Sequence, residues 1–363
     1  MTTVINDRNI KQLTKLYYEY YYDTVVSQDI QYDIDCNQER HPNPDIPNPL
    51  PVDLRKPIGE WNVSKVTDMA LAFKNFQFFN EPLDNWDVSK VEYMEGMFAD
   101  CHCFNQELNG WGDKLSKVIS TAGMFYRCIS FNKPLNNWIF SKIETIKFMF
   151  DGCRSFNQDL NSWGNKLSNV INMEGMFLEC ISFNQPLNDW NVGKVRNMGY
   201  MFKGCISFNQ PLNDWNVGEV RNMTFMFNEC RSFNQPLYKW GNKVSKVKDM
   251  GYMFEGCRSF NQPINNWNVN EQAKLLNMFQ NCAISEENKA SPENYKKWYE
   301  RVKLKYATLH ALGVDQQHGE QPRSVLANVP ADVARHITEY LGGKKSRRRR
   351  KKSKRKTRKT RRK

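Results

Sequence analysis

The cysteines are the residues of this sequence best suited to chemistry, because thiols form disulfides, bind metals and act as nucleophiles. Eight of the ten recur in phase along the chain without any C-x-x-C spacing, namely Cys101, Cys128, Cys153, Cys180, Cys205, Cys230, Cys257 and Cys282. A cysteine at the same place in every unit suits packing, since disulfides need specific pairs. We therefore predict a structural ladder of buried thiols, with disulfides and metal binding as alternatives, in a reducing, intracellular compartment.

Histidines and carboxylates form no catalytic pattern. The five histidines, at positions 41, 102, 310, 318 and 336, are scattered, and G-x-x-x-x-G-K-[ST], H-E-x-x-H and G-x-S-x-G are absent from the sequence. We therefore expect a protein that is not an enzyme and that holds no cofactor or metal.

The strongest charge signal lies at the end of the chain. The sequence has 52 Lys and Arg against 39 Asp and Glu, a net charge of +13, and 16 of the basic residues fall in 344–363. Without those 16, the remaining 36 basic and 39 acidic residues carry −3. Like charges at this density oppose collapse, so we predict a disordered tail over 343–363. It would bind nucleic acid or another polyanion through Lys344, Lys345, Arg347, Arg348, Arg349, Arg350, Lys351, Lys352, Lys354, Arg355, Lys356, Arg358, Lys359, Arg361, Arg362 and Lys363.

The composition of the tail leaves its target open. It has no aromatic residue for base stacking, so charge alone would select the partner. DNA binding, RNA binding, nuclear import and contact with an anionic membrane all use the same residues.

An amphipathic segment lies just before the tail, within residues 322–342. A proline at a helix start, followed by apolar residues at helical spacing, predicts a short helix whose apolar face is formed by Pro330, Val333, Ile337, Tyr340 and Leu341. Residues 329–341 resemble the opening of an F-box, the helical motif that docks substrate adaptors onto ubiquitin ligases. Because the further helices of an F-box do not follow, we interpret the segment as a short docking helix or an additional cap.

The central part of the chain is an internal repeat. Nine tryptophans recur at steps of 25 or 27 residues, at positions 61, 86, 111, 138, 163, 190, 215, 240 and 267. A phenylalanine, called the ladder Phe below, recurs with them and lies three residues before each ladder cysteine, as in Phe98 and Cys101. About nine units therefore span residues 58–283.

Each unit carries two local patterns. V-x-x-M-x-x-M-F-x-x-C places apolar residues on one helical face and predicts one or two helical turns. F-N-Q-P-L-N-x-W-x-V predicts a turn and a short strand, whose entry the proline marks. A unit this short cannot bury its apolar face alone, so the units must stack into an α/β solenoid. The longer units add two residues after Trp111, Trp163 and Trp240, which predicts a surface loop there.

Recurring and variable positions suggest different roles. The repeated Trp is interpreted as a core residue, with stacking on sugars as the alternative. The Asn of each F-N pair is interpreted as a hydrogen-bond partner of the backbone, with a polar binding stripe as the alternative. The residue after each ladder cysteine varies, from His102 through Arg154 and Ile181 to Arg258. We expect such variable positions to form a surface of mixed charge and polarity along the solenoid. This surface either faces only solvent or binds an unidentified protein.

The segments on either side of the repeats are predicted to cover the open ends of the solenoid. Residues 1–57 contain a predicted helix over 7–22, capped by Asn6 or Asp7, and a Pro-rich linker over 42–57. Residues 284–321 contain a second predicted helix that starts at Ser291. We expect no signal peptide and no transmembrane segment, since the chain has neither an apolar h-region nor an apolar run of sufficient length.

The unit M-F-x-x-C-x-x-F-N-Q-P-L-N-x-W-N-V resembles the 25/26-residue surface-protein repeat of mycoplasmas and Listeria, which is grouped with BspA-like leucine-rich repeats. The resemblance covers residues 58–283. It implies a right-handed, leucine-rich-repeat-like solenoid with a role in adhesion or protein binding and without catalytic residues. The bacterial members are exported, whereas we expect no export signal here. Such repeats also occur in large DNA viruses, often in chains with basic ends.

Three hypotheses for function follow. The first is a non-enzymatic interaction scaffold whose solenoid binds a protein and whose tail binds nucleic acid or directs the chain to the nucleus. The second is a ubiquitin-ligase substrate adaptor that docks through residues 329–341. The third is an adhesin on a cell surface or a virion.

Overall fold

The computed structural model describes residues 2–22, 36 and 47–289. The chain divides into two units, Met1–Pro292 and Glu293–Lys363, and the described residues all belong to the first. The helix predicted from Ser291, the docking segment within 322–342 and the tail over 343–363 therefore lie outside the described residues.

Successive repeats stack in parallel and in register. One residue of each repeat forms a parallel β-bridge with its counterpart in the next, and the series runs Asp68, Tyr93, Ser120, Thr145, Asn172, Asn197, Asn222, Asp249 and Lys274. The bridge positions follow the same 25- and 27-residue steps as the tryptophans. Each repeat is thus one coil of a tandem array, as the period predicts.

The α/β description is not confirmed. The described residues contain one α-helix, α1 (Ile10–Tyr22), and the 3-10 helices Val52–Leu54, Ile58–Glu60, Asn109–Lys117, Asn161–Leu167, Tyr238–Lys246 and Glu286–Asn288. Their β-structure consists of the isolated bridges, so the predicted helical turns and short strand of each unit form as turns and irregular chain.

Left-handed backbone explains why the helical spacing does not produce a helix. Gly175 and Glu179, which lie two residues before and after the ladder Phe177, have φ of 57° and 56°. An α-helix of L-residues cannot continue through such positions. The N–H groups of Gly175, Phe177 and Glu179 instead donate to carbonyls of the next coil, at 2.8, 2.9 and 2.7 Å. The same two positions are left-handed in every coil from Leu71 to Asn281.

The two residues added in the longer coils extend a 3-10 helix rather than a loop. Leu115, Leu167 and Val244 within these helices are buried, so the segments belong partly to the core. The ammonium of Lys166 donates to the carbonyl of Trp138 in the preceding coil at 3.0 Å. The predicted surface loop is therefore only partly correct.

Aromatic columns fill the interior. In neighbouring coils, the ring centroids of Phe150 and Phe177 lie 5.8 Å apart, and those of Trp163 and Trp190 lie 6.2 Å apart. Each indole N–H donates to a Leu or Ile carbonyl of the preceding chain segment, as Trp163 does to Leu135 at 2.9 Å. Burial of the repeated tryptophans confirms their interpretation as core.

The repeated asparagines join neighbouring coils. The side-chain oxygen of Asn157 accepts the backbone N–H of Asn184 at 2.9 Å and the side-chain amide of Gln185 at 3.1 Å. Equivalent bonds run from Asn80 to Asn261. The predicted role as backbone partners is confirmed, although the side chains are half-buried or exposed rather than fully interior.

The N-terminal helix α1 packs against the first coil. The hydroxyl of Thr14 donates to the carbonyl of Ala72 at 2.6 Å, and the ring of Tyr18 stacks on Phe76 at 4.2 Å. The helix starts at Ile10, later than predicted. The segment expected to be a linker packs as well, because Leu50 and Leu54 are buried.

We predict that replacing Asn157 with Ala lowers the free energy of unfolding by about 1 to 2 kcal/mol, because the N–H of Asn184 loses its acceptor. Asn157→Asp is the matched control, since a carboxylate still accepts this bond. Urea denaturation of both variants checks the prediction. An equal loss in both would contradict the role of the oxygen as acceptor.

Candidate functional site

The ladder cysteines are placed inside the array. Seven are buried, Cys282 is partly exposed, and all eight are free thiols. From Cys101 to Cys257, each thiol donates to the carbonyl of the ladder Phe in the preceding coil, at 2.8 to 3.0 Å. Burial raises the pKa of these thiols, as it does for Cys153. Because the thiolate is the reactive form, these groups are suited to packing and hydrogen bonding rather than to chemistry.

A disulfide that the sequence reasoning missed joins the two remaining cysteines, Cys36 and Cys103. Cys103 occupies a position where most other coils have Ser, and this departure was the available signal. The eight ladder cysteines, on which the expectation of a reducing compartment rests, are free thiols, whereas this pair is oxidised.

The neighbouring His102 is buried at 7% exposure, although its variable position predicts a surface residue. Neither ring nitrogen has a hydrogen-bond partner within the described part of the chain. Burial, together with the charge of Arg127, lowers the pKa of His102, against the opposite effect of Asp100. Farther along the same column, Arg154 and Ile181 are exposed, as expected.

A second variable column lies two residues before each ladder Phe, and we call it the left-handed slot; its members range from buried, as at Gly175, to exposed, as at Leu71. It holds Gly96, Gly123 and Gly175 in three coils, and bulky residues in five others, namely Leu71, Phe148, Tyr200, Phe225 and Tyr252. Their φ values are 54 to 62°, where a side chain costs about 1 to 2 kcal/mol relative to ordinary backbone. Strained positions of this kind cluster at functional sites.

Three of these bulky residues follow one another and form an aromatic ridge, defined as Tyr200, Phe225 and Tyr252. Their ring centroids are separated by 4.9 and 4.5 Å, with nearly parallel planes. All three side chains are half-buried. The ammonium of Lys203 lies 5.1 Å from the Phe225 centroid and 5.9 Å from that of Tyr200, within the range of cation–π attraction.

Carboxylates border the ridge, and we call the group Glu174, Glu179, Glu229, Asp249 and Glu255 the acidic rim. Burial raises the pKa of the Tyr200 phenol, and the charges of Glu174 and Asp249 raise it further. Burial also raises the pKa of Glu255, with a contribution from Glu229 and an opposing one from Lys203. Glu179 packs against Gly204, next to Lys203.

The described residues contain no group of three His, Cys, Asp or Glu side chains that could hold a metal ion. None of their helices combines the length and the apolar character needed to span a membrane. The predicted polyanion-binding residues and the docking helix fall beyond Lys289, the last described position. The candidate surface in the described part is the outer face of the coils.

One carboxylate on this face has an unusual titration. Burial, with the charge of Glu179, raises the pKa of Asp151 from 3.8 to about 7, against the effect of Arg127. Between pH 3.8 and about 7, the folded state therefore binds more protons than the unfolded state, and the free energy of unfolding falls as the pH rises through this range. We predict that Asp151→Asn stabilises the protein at pH 8, on the order of 1 kcal/mol after solvent screening, and has little effect near pH 4. Thermal unfolding of both proteins at both pH values is the measurement, and a difference independent of pH would refute it.

We also predict that Cys36→Ser lowers the free energy of unfolding by about 2 to 4 kcal/mol under oxidising conditions, because the disulfide closes a long loop of the unfolded chain. Urea midpoints with and without a thiol reductant check this. The reductant should destabilise the parent chain and leave the variant unchanged. If the reductant does not change the urea midpoint of the parent chain, the disulfide does not stabilise the fold.

The comparisons with known proteins agree with the tandem array. No curated protein and no solved structure matches the chain. One family model matches three times in succession, over residues 52–163, 164–243 and 242–301, which together cover more than half of the sequence. Its matches follow the repeats that stack in the structure. The chain therefore belongs to the family described as "Mycoplasma protein of unknown function, DUF285".

Proposed function

We propose that this protein is a non-enzymatic scaffold for protein–protein interaction, built as a right-handed, leucine-rich-repeat-like solenoid of about nine coils. The observation that carries the proposal is the contrast between inner and outer columns. Inside, the thiols and indoles recur with the same hydrogen bonds from coil to coil. Outside, the exposed residue after the ladder cysteine changes from Arg154 to Ile181 between adjacent coils. A constant interior with a changing exterior is how repeat proteins build extended binding surfaces.

The family and the motif support this proposal at different levels. A repeat family of unknown function is compatible with a scaffold. Kinship with BspA-like repeats and with proteins of large DNA viruses is a finer part of the proposal, supported by the M-F-x-x-C-x-x-F-N-Q-P-L-N-x-W-N-V unit.

The scaffold is tested by affinity purification with the full chain and with a variant that carries Ser at exposed positions after four ladder cysteines, at Arg154, Ile181, Ile206 and Arg258. We expect at least one protein to be retained by the parent chain and lost from the variant. Identical sets of retained proteins would argue against recognition by this column.

The basic tail is proposed to act separately, as an anchor for nucleic acid or another polyanion inside the cell, the nucleus or a virion. Its support is the density of 16 Lys and Arg in residues 344–363. Phosphate contacts of this kind release counterions, so the affinity falls steeply with salt.

We predict that the full chain binds DNA and RNA with a steep salt dependence, and that a chain ending at residue 342 does not. The measurement is nucleic-acid affinity across a salt series for both chains, with circular dichroism to verify that both are folded. Equal affinities would assign binding to the solenoid, and weak binding by both would favour a transport signal or a membrane contact. Failure of the shorter chain to fold would refute the separation of tail and solenoid.

A further inference from the structure

We infer that the aromatic ridge and the acidic rim together form a docking surface for an arginine- and lysine-rich segment of a partner protein. This inference rests on the proposed scaffold function and names the site and the chemistry of one partner. Three observations lead to it: the residues that occupy the left-handed slot, the geometry of the rings and the charge around them.

The slot itself does not require aromatic residues. Its backbone conformation is the same in coils that hold Gly, with φ of 57° at Gly175 against 60° at Tyr200. The N–H bond to the next coil is also the same, at 2.8 Å in both. Glycine would therefore fold the coil without the strain of a side chain. Three consecutive aromatic residues in this slot call for a reason outside the fold of the coil.

Ring geometry excludes insertion of a planar ligand between the aromatic residues. Rings in contact at centroid separations of 4.9 and 4.5 Å must be offset, because directly stacked carbon atoms approach to about 3.5 to 4.0 Å. The spacing leaves no room for a nucleobase between two rings, while all three residues remain partly exposed to solvent. Lys203 already places an ammonium against Tyr200 and Phe225. A guanidinium suits such a surface better still, since it stacks on rings and pairs with carboxylates at once.

The charge of the rim complements a basic segment. Its five carboxylates face three basic side chains, Lys203, Arg231 and Lys274, which lie near Phe225, Glu229 and Asp249 respectively. The contacts of Arg231 and Lys274 are largely exposed ion pairs at 3.1 and 3.7 Å, which an incoming guanidinium can replace at little cost.

A basic column borders the ridge. Arg196, Arg221 and Lys248 lie four residues before Tyr200, Phe225 and Tyr252, and the backbone N–H of Lys248 donates to the carbonyl of Arg221. These three cations would repel a basic segment. The bound segment is therefore expected to lie along the ridge and the part of the rim formed by Glu179, Glu229 and Glu255.

The test uses the full chain and two substitutions that the slot itself accepts elsewhere. Phe225→Tyr repeats the residue at Tyr200, and Phe225→Leu repeats the residue at Leu71, whose φ is 62°. Both leave the net charge at +13. Tyr238→Ser, at an exposed aromatic outside the ridge, is the control for general surface effects. The probe is a fluorescein-labelled oligo-arginine peptide, with an uncharged oligo-serine peptide as its counterpart.

By fluorescence anisotropy we expect the parent chain, Phe225→Tyr and Tyr238→Ser to bind oligo-arginine alike. Phe225→Leu should bind about fivefold more weakly, as the loss of one cation–π contact predicts. Glu255→Gln should also weaken binding, whereas Asp214→Asn, at an exposed carboxylate outside the rim, should not. Thermal unfolding of each variant separates loss of binding from loss of structure.

Equal binding by Phe225→Leu and Phe225→Tyr, or equal binding of oligo-arginine and oligo-serine by the parent chain, would overturn the inference. Sedimentation would overturn it as well if the parent chain self-associates and Phe225→Leu abolishes the association. The surface would then bind basic residues of a second copy of this chain rather than a separate partner protein. These outcomes differ from failure of the scaffold proposal, which is judged by retained proteins and by a different column of residues.

Discussion

Hydrogen bonding between coils is the constraint on which this structure depends. A unit of 25 or 27 residues has too little chain to pair its own backbone groups, so each coil completes its pairing on its neighbours. The ladder cysteine, the tryptophan and the asparagine all act in this way, since each donates to or accepts from the backbone of an adjacent coil. Their recurrence in the sequence is thus a requirement of pairing as much as of packing.

The same constraint separates the residues that hold the array from those that can vary. An inner column must keep its chemistry, because a changed side chain would leave a buried group of the next coil without a partner. The left-handed slot is different: its backbone N–H makes the bond to the next coil, whatever side chain it holds. The side chain at this slot is limited by the preceding coil instead, since a Cβ at Gly96 or Gly175 would clash with the side chain of Leu71 or Phe148. Where the preceding coil leaves space, the residue can vary at the cost of backbone strain.

Three structural features that depart from the repeat pattern lie in the first two coils. Helix α1 covers the carbonyl of Ala72, which in later coils would face another repeat. Cys36 is bound to Cys103 in the second coil, and His102 is buried beside it. An array whose ends are open needs such closing contacts, because the first coil has no preceding neighbour to complete its bonds.

The sequence by itself determined the period, the in-register stacking, the buried tryptophans and the asparagine bonds. These follow from residue type repeated at a constant spacing, which is visible without coordinates. Tertiary structure decided the backbone of each turn, because apolar spacing is similar for an α-helix and for turns with left-handed residues, and only the bonds to the next coil distinguish them. It also decided the disulfide between Cys36 and Cys103 and the alignment of Tyr200, Phe225 and Tyr252. Such contacts depend on which residues of different coils meet in space, and the order of residues within one coil does not contain that information.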